Sequence, residues 1–164
     1  MALLTTSAMA NSPGLSKGKI GPLNVGVHLF HLAHLDQNAK VRRKQFEEDF
    51  QLEYRFNIKN VGIINVLLEA DDTSVYRLST SAESLKTVAG GKVGMTLKAL
   101  KKIYPNGKLD VAWDGIDSAY HFILPNEEGF FAFDATDIIK PCGKAYPDCG
   151  KLLQNHRSTA FITF

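Results

Sequence analysis

Val93-Gly94-Met95-Thr96-Leu97-Lys98-Ala99-Leu100-Lys101-Lys102-Ile103, followed by Tyr104-Pro105, is the stretch on which the reading of this chain turns. Leu97, Leu100 and Ile103 fall three apart, a spacing that lays apolar side chains along one face of a helix. Thr96 stands where an N-cap belongs, because its hydroxyl can accept a bond from one of the unpaired N–H groups of the first turn. Pro105 must stop the helix, since its ring removes a donor and crowds the preceding turn. Upstream, Val25-Gly26 introduces Val27-His28-Leu29-Phe30-His31-Leu32-Ala33-His34-Leu35, in which Leu29, Leu32 and Leu35 repeat the spacing. The matching offsets predict two copies of one unit.

The segments after each copy support that expectation. Past the first, Phe50 to Ile58 alternates apolar and polar residues, the period of a half-buried strand. Asn60 and Gly62 mark a turn, Ile63 to Leu68 reads as a buried strand and Val75 to Ser79 as another. Past the second, Asn106-Gly107 opens a turn before Leu109, Val111 and Trp113, Asp114-Gly115 precedes Tyr120 to Leu124, and Pro125 to Gly129 precedes Phe130 to Ala135. Between the halves, Thr80-Ser81-Ala82-Glu83 has capping-box spacing and predicts a short helix ending at Gly90-Gly91. Thr159 to Phe164 predicts a last strand. The expected fold class is therefore α+β, two tandem units of a short helix packed on a three-stranded antiparallel meander. Residues 11–91 form the first half and residues 92–164 the second, which also carries a disulfide loop.

The Gly94-Met95-Thr96 opening with Leu100, and the order of helix then meander, resemble the small domain shared by the SmpA/OmlA outer-membrane assembly lipoproteins and the β-lactamase inhibitor protein, which carries it in tandem. The resemblance is strongest over Val93 to Pro105 and vaguer over Gly21 to Leu35. It implies a secreted or periplasmic domain that binds other proteins through a concave sheet. Residues 36–49 are an insertion outside that pattern, and the lipid-bearing cysteine of the assembly lipoproteins has no counterpart here.

A chain of 164 residues buries about two-thirds of its unfolded surface, enough for a real core. Lys and Arg number 19 against 17 Asp and Glu, a net charge of +2, too balanced for the one-sided field of a nucleic-acid binder. The one basic cluster, Lys40, Arg42, Arg43 and Lys44, is followed at once by Glu47, Glu48 and Asp49 and reads as a solvated charged face. Residues 1–10 carry no charge and end in Ala8-Met9-Ala10, the small-x-small pattern that precedes signal cleavage, so they are expected to be a signal-peptide remnant. No later apolar run approaches the roughly 20 residues of a membrane span, so no membrane insertion is expected. Cys142 and Cys149 flank Gly143-Lys144-Ala145-Tyr146-Pro147-Asp148, and in an oxidising compartment the pair is expected to close a disulfide.

The polar spacings offer little chemistry. His28, His31 and His34 sit three apart, and neighbours on a helix are about 60° apart, so His28 and His31 are weak candidates for a shared metal and all three are splayed. Gly14-Leu15-Ser16-Lys17-Gly18 has the letters of a nucleophile elbow without the strand and helix that device needs. A cysteine nucleophile with His121 or His156 as base requires a free thiol. No catalytic residue, metal or cofactor is assigned. The aromatic residues carry more: Trp113, Tyr120, Phe122, Phe130, Phe131 and Phe133 crowd three successive strands, and neighbours such as Phe130 and Phe131 cannot both face one core.

These features together point to an exported domain of bacterial type, periplasmic or secreted, that binds another protein rather than catalysing a reaction. An inhibitor or immunity-type protein against an envelope-acting toxin or hydrolase is its expected form. The contact residues expected are Tyr146 and Lys144 on the disulfide loop with Trp113, Tyr120 and Phe131 on the strands. The alternatives are a small exported hydrolase using His28, His31, His121 or His156, and a carrier of a small ligand or metal in an apolar cleft.

Overall fold

The computed structural model describes residues 14–36, 38–46, 49–69, 73–113, 118–127, 129–134 and 148–164. Among them are twelve strands and a single α-helix. The first strands are β1 (Gly14–Ser16), β2 (Lys19–Ile20) and β3 (Leu23–Asn24). Next come β4 (Lys40–Phe46), β5 (Asp49–Ile58), β6 (Gly62–Leu68), β7 (Val75–Thr80) and β8 (Lys86–Thr87). The helix α1 (Leu97–Ile103) precedes β9 (Lys108–Trp113), β10 (Ser118–Ile123), β11 (Phe130–Asp134) and β12 (Ala160–Thr163). Short 3-10 turns cover Leu29–Leu32, Pro125–Glu127 and Asp148–Asn155.

Eight strands make one antiparallel sheet in the order β4-β5-β6-β7-β12-β11-β10-β9. The last strand of the sequence thus lies between β7 and β11 and joins two meanders. Its register sets Phe161 opposite Thr80 on one side and Phe131 on the other. Continuing through the neighbouring registers, one row crosses the sheet from Phe56 through Ile64, Thr80, Phe161, Phe131 and Phe122 to Leu109. All but half-buried Leu109 are buried. A second sheet, β3-β2-β1-β8, lies against β7, and α1 lies against the 148–155 turn. Leu15, Ile20 and Leu23 from the small sheet and Leu97 and Leu100 from α1 join the same core as the large sheet. Each fully buried Leu or Phe of that cluster contributes about 1.5–3 kcal/mol of transfer free energy.

The tandem helix-on-meander expectation is overturned: the fold is mostly β, with one α-helix of seven residues among the described residues. The leucine spacing at 29–35 is real, but the backbone closes 3-10-type bonds in place of α-helical ones, the N–H groups of His31, Ala33 and Leu35 donating to the carbonyls of His28, Phe30 and Leu32. The N–H of Gly26 donates to the carbonyl of Val75, that of Val75 to Val27, and that of Leu29 to Thr73, so the residues leading into the stretch extend the β7 pairing and one 3-10 turn follows them. No helix follows Thr80 either. Thr80 sits buried in β7, its hydroxyl donating to the carbonyl of Ile63 and accepting from the N–H of Ala82, while Lys86 and Thr87 pair in parallel with β1. Residues 14–20 form a hairpin, with Leu15 buried and Gly18 in the left-handed region at its turn. The insertion at 36–49 contains β4, an edge strand. Charged edge strands resist pairing with other chains, which gives the basic cluster there a structural purpose.

The helix itself forms where expected. Thr96 is extended and its hydroxyl accepts from the N–H of Ala99, while the C-cap residue Tyr104 directly precedes Pro105. Thr96→Ala is expected to cost about 1 kcal/mol, read as a lower urea midpoint with an unchanged slope.

Candidate functional site

Strand alternation gives the large sheet an outer face, away from the core, and a strip of rings crosses it. His121 of β10 stacks on Phe130 of β11, with ring centroids 4.1 Å apart and 28° between planes. Phe130 lies 5.9 Å from Phe164, just past β12, and Phe164 lies 5.5 Å from Tyr76 of β7 at 62°. The Arg77 guanidinium sits 5.9 Å from the Phe164 ring centre. Phe164 is 46% exposed and Tyr76 40%. Tyr76 reaches this face because of a bulge: Leu67 pairs with Arg77 but Leu68 pairs with Val75, leaving Tyr76 as the extra residue. Bulges re-aim side chains in this way. Aromatic rings with an arginine, held on a rigid sheet, are the composition of an interface hot spot.

The expected contact residues fall differently. Phe131 and Tyr120 are both buried, paired with Phe161 and Phe133 respectively, so they belong to the core and do not line the surface. Burial pushes the Tyr120 phenol up from its ordinary value. Of the Phe130-Phe131 pair, it is half-buried Phe130 that reaches the surface. Trp113 ends β9, paired with Ser118, but its side chain lies outside the described residues. Cys142, Lys144 and Tyr146 also lie outside them, and Cys149 is placed only as backbone in the 148–155 turn, so the expected disulfide and its loop do too.

The histidines do other work. His28 caps the first 3-10 turn, its Nδ1 accepting from the N–H of Phe30 at 3.2 Å, and its ring meets that of His31 edge to face at 6.4 Å. Among the described residues, no group of three His, Cys, Asp or Glu side chains comes together as a metal site. His156 accepts through its carbonyl from the N–H of Leu97 and so closes the start of α1. Gly14 to Gly18 leads from β1 into a turn and β2, without the helix a nucleophile elbow requires. Beside the first 3-10 turn, Leu29, Phe30, Ala33, Ala39, Tyr54 and Phe56 line an open apolar groove of about 420 Å³ with His28 and Asp36 at its edge. No described helix is long and apolar enough to cross a membrane.

Sequence reasoning misses Tyr76, Arg77 and Phe164 as surface partners. Tyr76 depends on a bulge without a local signal, and Phe164 meets Arg77 only because β12 inserts beside β7.

No family model matches the chain, and no curated protein matches it. Among solved structures it is similar to the uncharacterized protein YfeY from Escherichia coli, with a TM-score of 0.58 at 11% identity over 93% of this chain and 96% of that one. At that identity the likeness is one of fold, extending over nearly the whole of both chains.

Proposed function

We propose that this chain is an exported protein-binding module whose contact surface is the outer face of the large sheet, centred on Phe130 and Phe164. The observation that carries this reading is the continuous ring strip from His121 to Tyr76, with Arg77 over its middle. Rings already packed against one another on paired strands have little rotamer freedom left to lose on association. An inhibitor or immunity-type protein acting in the periplasm or outside the cell uses such a surface, needing shape and rigidity in place of catalytic groups. The uncharged residues 1–10, ending in the small-x-small pattern Ala8-Met9-Ala10, support the exported setting.

The test is affinity capture from an envelope extract with the native chain and with a Phe130→Ala/Phe164→Ala double variant, followed by titration of the captured protein. Hot-spot truncation costs about 2 kcal/mol or more, so the variant is expected to bind at least about 30-fold more weakly. Its melting temperature should stay within a few degrees of the native one, because both side chains lie on the outer face. A partner held equally well by the two chains would move the contact surface elsewhere.

A further inference from the structure

The register of β4 against β5 sets Lys40 directly opposite Arg55. Both are exposed, and neither side chain makes an ion pair or hydrogen bond among the described residues. Like charges at facing positions of an antiparallel pair destabilise it. The repulsion here lies in a cleft of about 600 Å³ lined by Asp36, Asn38, Lys40, Arg55, Asn57 and Ile63. Among the described residues Asp36 is the one carboxylate in that lining, and its oxygens are already engaged. Oδ1 accepts from the N–H of Asn38 at 2.9 Å and Oδ2 from the N–H of Asn57 at 2.8 Å. Those bonds tie Asp36 to Asn38 and to the end of β5, where β4 no longer covers it. Glu53, the next residue on the same face of β5, is buried and has an interaction of its own. Among the described residues the cleft therefore holds two cations against a single carboxylate already committed to the backbone.

We propose that this cleft binds a phosphate group, free or as a phosphate ester. The guanidinium of Arg55 offers paired donors that match two phosphate oxygens, Lys40 offers a mobile point charge, and the amides of Asn38 and Asn57 supply further donors at the rim. A phosphate monoester carries a charge of about −1.5 to −2 near neutral pH and so satisfies both cations, where a carboxylate satisfies only one. The volume leaves room for the group that carries the phosphate. The site is separate from the ring strip, so either can fail without the other. A soluble phosphate ester and a phospholipid headgroup share this chemistry.

The test follows backbone and Arg Nε resonances of the full chain by NMR at fixed ionic strength. The probes are inorganic phosphate, glycerol 3-phosphate, and phosphatidylcholine vesicles with or without phosphatidic acid. Saturable shifts at Asn38, Asn57 and Arg55 are expected, with at least a tenfold loss of affinity in Lys40→Gln/Arg55→Gln and a smaller loss in Arg55→Lys. Removing two facing cations from an exposed position is expected to leave the melting temperature unchanged or slightly raised, which shows that the variant folds. A stronger response to glycerol 3-phosphate identifies a soluble ligand, and a response confined to phosphatidic acid vesicles identifies a headgroup. Shifts that do not saturate, that chloride reproduces at equal ionic strength, or that survive in the double variant would overturn the proposal.

Discussion

Phe131→Ala is expected to lower the unfolding free energy by about 3–5 kcal/mol, the cost of removing a ring from a packed core that cannot close around the gap. Phe131 is fully buried, lies opposite Phe122 on β10 and Phe161 on β12, and meets the Phe161 ring at 5.2 Å and 63°. It sits where β12 joins the two meanders, so the cavity would open at the seam of the sheet. Phe130→Ala removes a ring of the same size one residue away. It is expected to cost under about 1.5 kcal/mol, since the stacking on His121 is a surface contact and a stacked pair contributes about 0.5–1.5 kcal/mol. Urea denaturation of the two variants side by side is the measurement. A loss for Phe130→Ala larger than that for Phe131→Ala would mean that the two faces of β11 have been assigned the wrong way round, and equal losses that neither face is set apart as the core side.

That contrast marks where the sequence stops being informative. Phe130-Phe131-Ala132-Phe133 announces a strand, but an unbroken apolar run has no phase, and nothing local says which phenylalanine faces the core. The alternating stretch at 50–58 does have a phase, and its strand is found at Asp49–Ile58. Strands of two residues, such as β2, β3 and β8, span a single period and so show no repeat in the pattern. The leucine repeat at 29–35 is a true spacing that suggests the wrong element, because its entry, Gly26 to Leu29, is tied to residues 73–75, more than forty residues away, and only 3-10-type turns follow. The facing cations obey the same rule: Lys40 and Arg55 are ordinary apart, and only register makes them a pair. A solvated surface is the natural reading of the basic cluster around Lys40, and it suits an edge strand but hides that one member faces another cation.

Gly129→Ala is expected to cost about 2–5 kcal/mol, for two reasons that a control separates. Gly129 has φ +132°, a conformation that residues with a side chain rarely adopt. A Cβ there would also stand 2.6 Å from the carbonyl oxygen of Ile162 and 2.8 Å from the Phe161 ring. The first of these is backbone in the adjoining strand and cannot swing aside. The carbonyl of Gly129 accepts from the N–H of Leu124, which holds the loop before β11 closed, so relief by moving the loop costs that bond as well. Gly26 supplies the control: its φ is +78°, and nothing lies within 4 Å of a Cβ built on it. Gly26→Ala thus carries backbone strain alone, about 1–2 kcal/mol. The difference between the two variants in urea midpoint measures the overlap with β12. A Gly129→Ala protein no less stable than Gly26→Ala would show that β12 does not sit against the β10–β11 loop as closely as its pairing requires.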